Sequence, residues 1–105
     1  MNKNVFISGA SRGIGRAIAN HFANNNFVVV GTSRNEFEFD QKNENLIPLK
    51  LDVTSRDDIA ECFEMLKSKD LLPKILINNA GIVSDQIFLR MKNEDWDNVC
   101  LLYTS

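Results

Sequence analysis

The chain has 105 residues, 44% of them hydrophobic and 25% charged, with a formal net charge of -2. These values fit one small soluble globular domain and exclude a broadly basic surface for nucleic acid or anionic membrane. No apolar run approaches the ~20 residues of a membrane span, and the apolar part of "MNKNVFISGA" is too short for a secretory signal. Cys62 and Cys100 form neither a CxxC pair nor a disulfide framework, so a reducing cytoplasm is expected.

"VFIS" (Val5 to Ser8) reads as a short buried strand. Ile14, Ala17, Ile18, Phe22 and Ala23 follow near helical spacing, and "NNN" at Asn24 to Asn26 ends that helix. "FVVVGT" (Phe27 to Thr32) predicts a second continuous apolar strand. "SRNEFEFDQKNEN" is polar and poorly periodic; it is a loop and the one candidate for disorder. "LIPLKLDV" (Leu46 to Val53) is a third strand, with Pro48 placing its first part at an edge or irregular position. Thr54 reads as an N-cap, with Asp57 and Asp58 in the first turn and Ile59, Cys62, Phe63 and Leu66 on one helical face. Pro73 breaks the chain before a fourth strand, "KILIN" (Lys74 to Asn78). "NAGIVSD" is loop, and Asn93 caps a last helix carrying Trp96 and Val99 on one face. His21 has no partner at metal spacing and reads as a surface residue, Cys62 as core, and no metal constellation is present. Apolar strands joined by helical crossovers predict an α/β fold with a parallel, doubly wound sheet covered on both faces.

Between the first strand and the first helix lies "GASRGIG", residues 9 to 15. A strand that turns through glycines into a helix presents unpaired N–H groups and the positive end of the helix dipole, which suits a pyrophosphate. Gly9 takes the tight turn, Gly13 lets backbone approach the phosphates, and Gly15 lets the helix pack close to the sheet. A plain tight turn without ligand is the bland alternative.

The spacing Gly-x-x-x-Gly-x-Gly resembles the short-chain dehydrogenase/reductase family, with Ser8 where that family has Thr. "LDV" (Leu51 to Val53) matches the strand end whose Asp contacts the adenine in that family, and "NNAG" (Asn78 to Gly81) matches a second hallmark motif. The resemblance implies the N-terminal half of a Rossmann-like sheet, about four strands and truncated. It implies cofactor contacts from Gly9, Ala10, Ser11, Arg12, Gly13, Ile14, Gly15, Ser33, Arg34, Asp52, Val53, Asn79, Ala80 and Gly81. An NAD enzyme of this fold usually has an acid at the end of the second strand. Here that place reads "GTSRN", and Arg34, with Arg12 in the glycine turn, favours the extra phosphate of NADP(H). Arg34 as a solvated loop charge is the alternative.

Residues 78–99 are similar to the beta-ketoacyl-acyl-carrier-protein reductases of that family, through Asp85, Arg90, Met91, Lys92, Glu94 and Trp96. That resemblance implies NADPH-dependent reduction of a 3-oxoacyl thioester on acyl carrier protein, by a homotetramer; Arg90 and Lys92 would help meet the acidic carrier, with a solvated amphipathic edge as the alternative. The short segment between strands two and three, without the usual helix, departs from the pattern and leaves open another member of the family acting on a sugar, alcohol or steroid. A non-catalytic nucleotide-sensing module is the other alternative.

The family's catalytic Ser and Tyr-x-x-x-Lys fall beyond this chain, Tyr103 is not that tyrosine, and the chain by itself is expected to be inactive. Residues 1–99 then form a partial NADP-binding domain. "CLLYTS" (Cys100 to Ser105) can be encoded by TGT CTC TTA TAC ACA TCT, which resembles a transposase mosaic-end sequencing adapter, so these residues read as a translated adapter and a non-native tail; natural divergence of a helix end is the alternative. A half-sheet with an open edge is expected to be marginally stable or to aggregate.

Overall fold

The computed structural model describes residues 3–79 together with the backbone of residues 100–103. The elements are β1 (Asn4–Ser8), α1 (Gly13–Asn24), β2 (Val28–Ser33), β3 (Leu46–Lys50), α2 (Arg56–Ser68), β4 (Ile75–Asn78) and β5 (Cys100–Tyr103). They form one parallel sheet in the order β3-β2-β1-β4-β5. This is the α/β, Rossmann-like sheet expected from the run of apolar strands and crossovers. The order reverses direction at β1, so β1 and β4 open a crevice at their C-terminal ends, where open α/β sheets bind ligands.

Alternation along each strand builds two cores. Val5, Ile7, Val29 and Ile77 join Ala19 and Ala23 of α1 on one face. Phe6, Val30 and Leu76 join Ile59, Cys62, Phe63 and Leu66 of α2 on the other. Phe6 and Phe63 stack at 5.7 Å across that second layer. Burial there pushes the Cys62 thiol up to about 12, so it is a core residue and not a nucleophile.

Both helices stop at a residue with positive φ, Asn26 after α1 and Asp70 after α2. Asn26 lets Phe27 N–H reach back to the Phe22 carbonyl at 3.0 Å, satisfying an orphan acceptor at the helix end. The N-cap of α2 is Ser55, whose hydroxyl accepts from Asp58 N–H at 3.2 Å. The expected cap, Thr54, is one residue early because its hydroxyl and N–H are both committed to Asp52. β3 is an edge strand, which is what tolerates Pro48, and it ends at Lys50 rather than continuing through Val53.

Residues 34–45, expected to be a candidate for disorder, form a loop anchored by aromatics. Phe37 and Phe39 meet edge-to-face at 5.1 Å and pack on the α1 side of the sheet. The cause is burial of two rings that sequence periodicity does not reveal, because their neighbours are charged. The expected helix at Asn93, with Trp96 and Val99, lies outside the described residues. The backbone of Cys100–Tyr103, given above to an appended tail, pairs along β4 as β5. An open parallel edge accepts an apolar segment whatever its origin. Among the described residues no helix is long and apolar enough to cross a membrane.

Candidate functional site

The C-terminal ends of β1, β2 and β3 and the start of α1 surround a cleft of about 610 Å³, a size suited to a small-molecule ligand. Gly9 leaves β1 with φ 72° and Gly13 opens α1 with φ 62°, both in the region that glycine enters without strain. Arg12 occupies the N-cap position in extended backbone, and its side chain makes no capping bond; the first turn holds no acid. The positive end of α1 is therefore compensated by none of its own side chains. A Cβ placed on Gly13 would meet nothing within 4 Å, so the turn is open at that point. An uncapped helix start behind bare backbone is the arrangement that takes a phosphate, and the residues present fit a dinucleotide's diphosphate.

Gly15 does different work. A Cβ there would lie 2.0 Å from the Gly9 carbonyl oxygen and 2.6 Å from Asn79 Nδ2. The missing side chain lets α1 sit against the turn while Asn79 Nδ2 donates to the Gly9 carbonyl at 2.9 Å. Ser8, in the place of the family's Thr, is buried and fully used. Its hydroxyl donates to Asn78 Oδ1 at 2.8 Å and accepts from Asn79 N–H at 3.1 Å. The end of β4 is thus tied to the end of β1 and the glycine turn by two consecutive asparagines.

Arg34 follows β2 and lines the cleft opposite the turn, with Arg12 on the near side. Asp52 and Val53 close the far wall. The Asp52 carboxyl is held below its ordinary 3.8, first by the Thr54 hydroxyl at 2.6 Å, then by Thr54 N–H at 2.9 Å, with a smaller contribution from Arg34. A depressed carboxyl favours the folded state fully above 3.8 and loses that contribution as pH falls below it. Thr54→Val removes only the hydroxyl, so Asp52 should titrate closer to 3.8, read by carboxyl-carbon NMR between pH 2 and 6. An unchanged titration would remove Thr54 from this role.

Of the expected site residues, Gly9, Ser11, Arg12, Gly13, Arg34, Asp52, Val53 and Asn79 line the cleft. Ala10 lies buried beneath it, and Gly15 underpins the turn. Ser33 stands behind the wall, its carbonyl accepting from Leu51 N–H at 2.8 Å. Ile14, expected both on the packed face of α1 and as a cofactor contact, is 57% exposed at the start of the helix and does not line the cleft. Ala80 and Gly81 lie outside the described residues, as do Arg90 and Lys92. The cleft also takes in Thr32, Leu51 and Thr54, which were not expected. Thr54 was legible as the second residue after an Asp, the spacing of an Asx turn.

Residues 3–102 match the family model for short chain dehydrogenases. The chain belongs to the short-chain dehydrogenase family. It is 37% identical over 102 residues to the 3-oxoacyl-[acyl-carrier-protein] reductase FabG of Buchnera aphidicola subsp. Baizongia pistaciae, an alignment covering 92% of this chain and 42% of that protein. The chain spans about two fifths of the length of the curated relatives it matches. Among solved structures, a short-chain dehydrogenase from Leptospira borgpetersenii with bound NAD+ superposes with a TM-score of 0.71 at 30% identity, covering 78% of this chain and 32% of that one. ElxO with NADP bound gives a TM-score of 0.65 at 34% identity, covering 75% and 35% of the two chains. These two solved neighbours thus hold different dinucleotides, NAD+ in one and NADP in the other.

Proposed function

We propose that this chain is the dinucleotide-binding part of an NADPH-dependent reductase acting on 3-oxoacyl thioesters carried by acyl carrier protein. The observation that carries the coenzyme choice is Arg34 on the cleft wall just after β2, where no acid stands. A carboxylate there would repel a 2′-phosphate; a guanidinium can bond it in bidentate fashion. The uncapped start of α1 receives the diphosphate, Asp52 the adenine edge, and Arg12, which lines the same cleft, joins Arg34 at the 2′-phosphate from the turn. When bound, the dinucleotide supplies the hydride. The acyl carrier protein substrate is proposed from the similarity to the FabG reductases.

In this reading the whole protein is a cytoplasmic homotetramer. Its catalytic Ser, Tyr and Lys lie outside residues 1–99, and residues 100–105 are an appended tail. Independent genomic reads that carry these six codons in frame would remove the tail from the proposal.

The test is an assay of a protein that continues this chain to the full length of its relatives, with NADPH and an acetoacetyl thioester. NADPH oxidation dependent on the thioester is expected. Oxidation only with sugar, alcohol or steroid ketones would move the substrate class and leave the coenzyme reading intact. The 105-residue chain alone should show no turnover.

A further inference from the structure

Residues 34–45 join two parallel strands, β2 and β3, a connection that ordinarily runs through a helix. Here the sheet face that such a helix would cover receives Phe37 and Phe39 instead. Gly31 of β2 makes the seat. A Cβ on Gly31 would lie 2.7 Å from Phe39 Cζ and 2.8 Å from Ala10 Cβ. The ring tip and Ala10 therefore flank the same bare position on the strand. Ala10 belongs to the phosphate turn, and its N–H donates to the Thr32 carbonyl at 2.9 Å. Beyond the ring, Asp40 pins the segment to α1, with Arg16 at 3.8 Å and Asn20 Nδ2 at 3.4 Å. Arg34 stands at the head of this segment. It is exposed and lines the cleft, and the place from which its side chain reaches is set by the backbone that carries it. That backbone is fixed on one side by Ser33, through Leu51 N–H, and on the other by the two rings.

We propose that Phe39 is a positioning residue for coenzyme choice: seated between Gly31 and the phosphate turn, it holds the β2–β3 segment so that Arg34 faces the place of the 2′-phosphate. The inference rests on the NADP(H) reading above and adds to it a residue that lies outside the cleft. It explains why β2 carries a glycine in mid-strand, where glycine otherwise weakens a sheet. It also explains how a connection without a helix can present a specificity residue at all.

The test compares 5′-AMP with 2′,5′-ADP, which differ only in the 2′-phosphate, as ligands of a protein that continues this chain to the full length of its relatives and of its Phe39→Ala and Phe39→Leu variants. Circular dichroism melts accompany each binding curve. The parent should bind 2′,5′-ADP more tightly. In Phe39→Ala that preference should fall about tenfold, and in Phe39→Leu about threefold, while 5′-AMP affinity stays within about twofold, since Asn79 still holds the turn. If Phe39→Ala does not fold, Phe39→Leu decides alone. A preference unchanged in a folded variant overturns the inference and leaves the NADP(H) reading standing. Equal loss of both ligands also overturns it, because that marks a merely structural role. A parent without any preference overturns the NADP(H) reading and the inference with it.

Discussion

Gly15→Ala should abolish nucleotide binding and lower the stability of the chain by about 3 kcal/mol, the upper part of the range for overpacking a tight contact. The added Cβ would fall 2.0 Å from the Gly9 carbonyl oxygen, which is backbone and has nowhere to go. Relief requires α1 to move off the sheet or the turn to open. Either movement breaks the Asn79 Nδ2 bond to that same carbonyl and tilts the first N–H groups of α1 away from the cleft. Gly13→Ala is the contrasting variant. Its Cβ would enter open space, so only the positive φ opposes it, at a cost of about 1–2 kcal/mol. For a domain of about 100 residues each 1 kcal/mol moves the melting temperature by roughly 4–8 °C. Paired thermal melts therefore separate the two variants. Equal destabilisation by both would mean that α1 yields to the added Cβ at little cost, against the close-approach reading of Gly15, whose backbone is ordinary helix.

Replacing Arg34 by Asp should reverse the coenzyme preference. A charge-assisted hydrogen bond is worth about 1.5–3 kcal/mol, so loss of the guanidinium alone should weaken NADPH by roughly 10- to 100-fold. A carboxylate in its place adds repulsion of the 2′-phosphate and can accept from the free ribose hydroxyl of NADH. NADH affinity should hold or improve. Arg12→Ala should also weaken NADPH more than NADH, because Arg12 lines the same cleft as Arg34. Fluorescence titration of reduced nucleotide gives the constants. Parallel loss of NADPH and NADH in the Arg34 variant would place Arg34 on the diphosphate and not on the 2′-phosphate. The preference should also grow as pH rises through about 6, where a phosphate monoester takes its second charge.

The order of strands and helices was legible because apolar runs and helical periodicity change cleanly at the glycines, at Asn24 to Asn26 and at Pro73. The phosphate turn was legible because glycine spacing is a steric requirement written directly in residue types. What escaped the sequence depends on contacts between distant segments. Phe37 and Phe39 alternate with Glu36, Glu38 and Asp40, a pattern that reads as polar until Gly31 provides a seat for a ring. Thr54 looks like a helix cap until Asp52 claims its hydroxyl, which passes the cap to Ser55. Ile14 fits the apolar spacing of α1, yet it falls on the first turn before that face reaches the sheet, and stays exposed. Ser33 and Arg34 are neighbours with different fates: Ser33 is half-buried, spends its carbonyl on Leu51 and stays off the cleft lining, whereas Arg34 is exposed and lines it.

The most direct measurement is the pair of dissociation constants of NADPH and NADH for a protein that continues this chain to the full length of its relatives, at one pH and one salt concentration. One guanidinium on the 2′-phosphate requires NADPH to bind at least about tenfold more tightly. Equal affinities, tighter NADH, or binding of neither would contradict the assignment of this cleft.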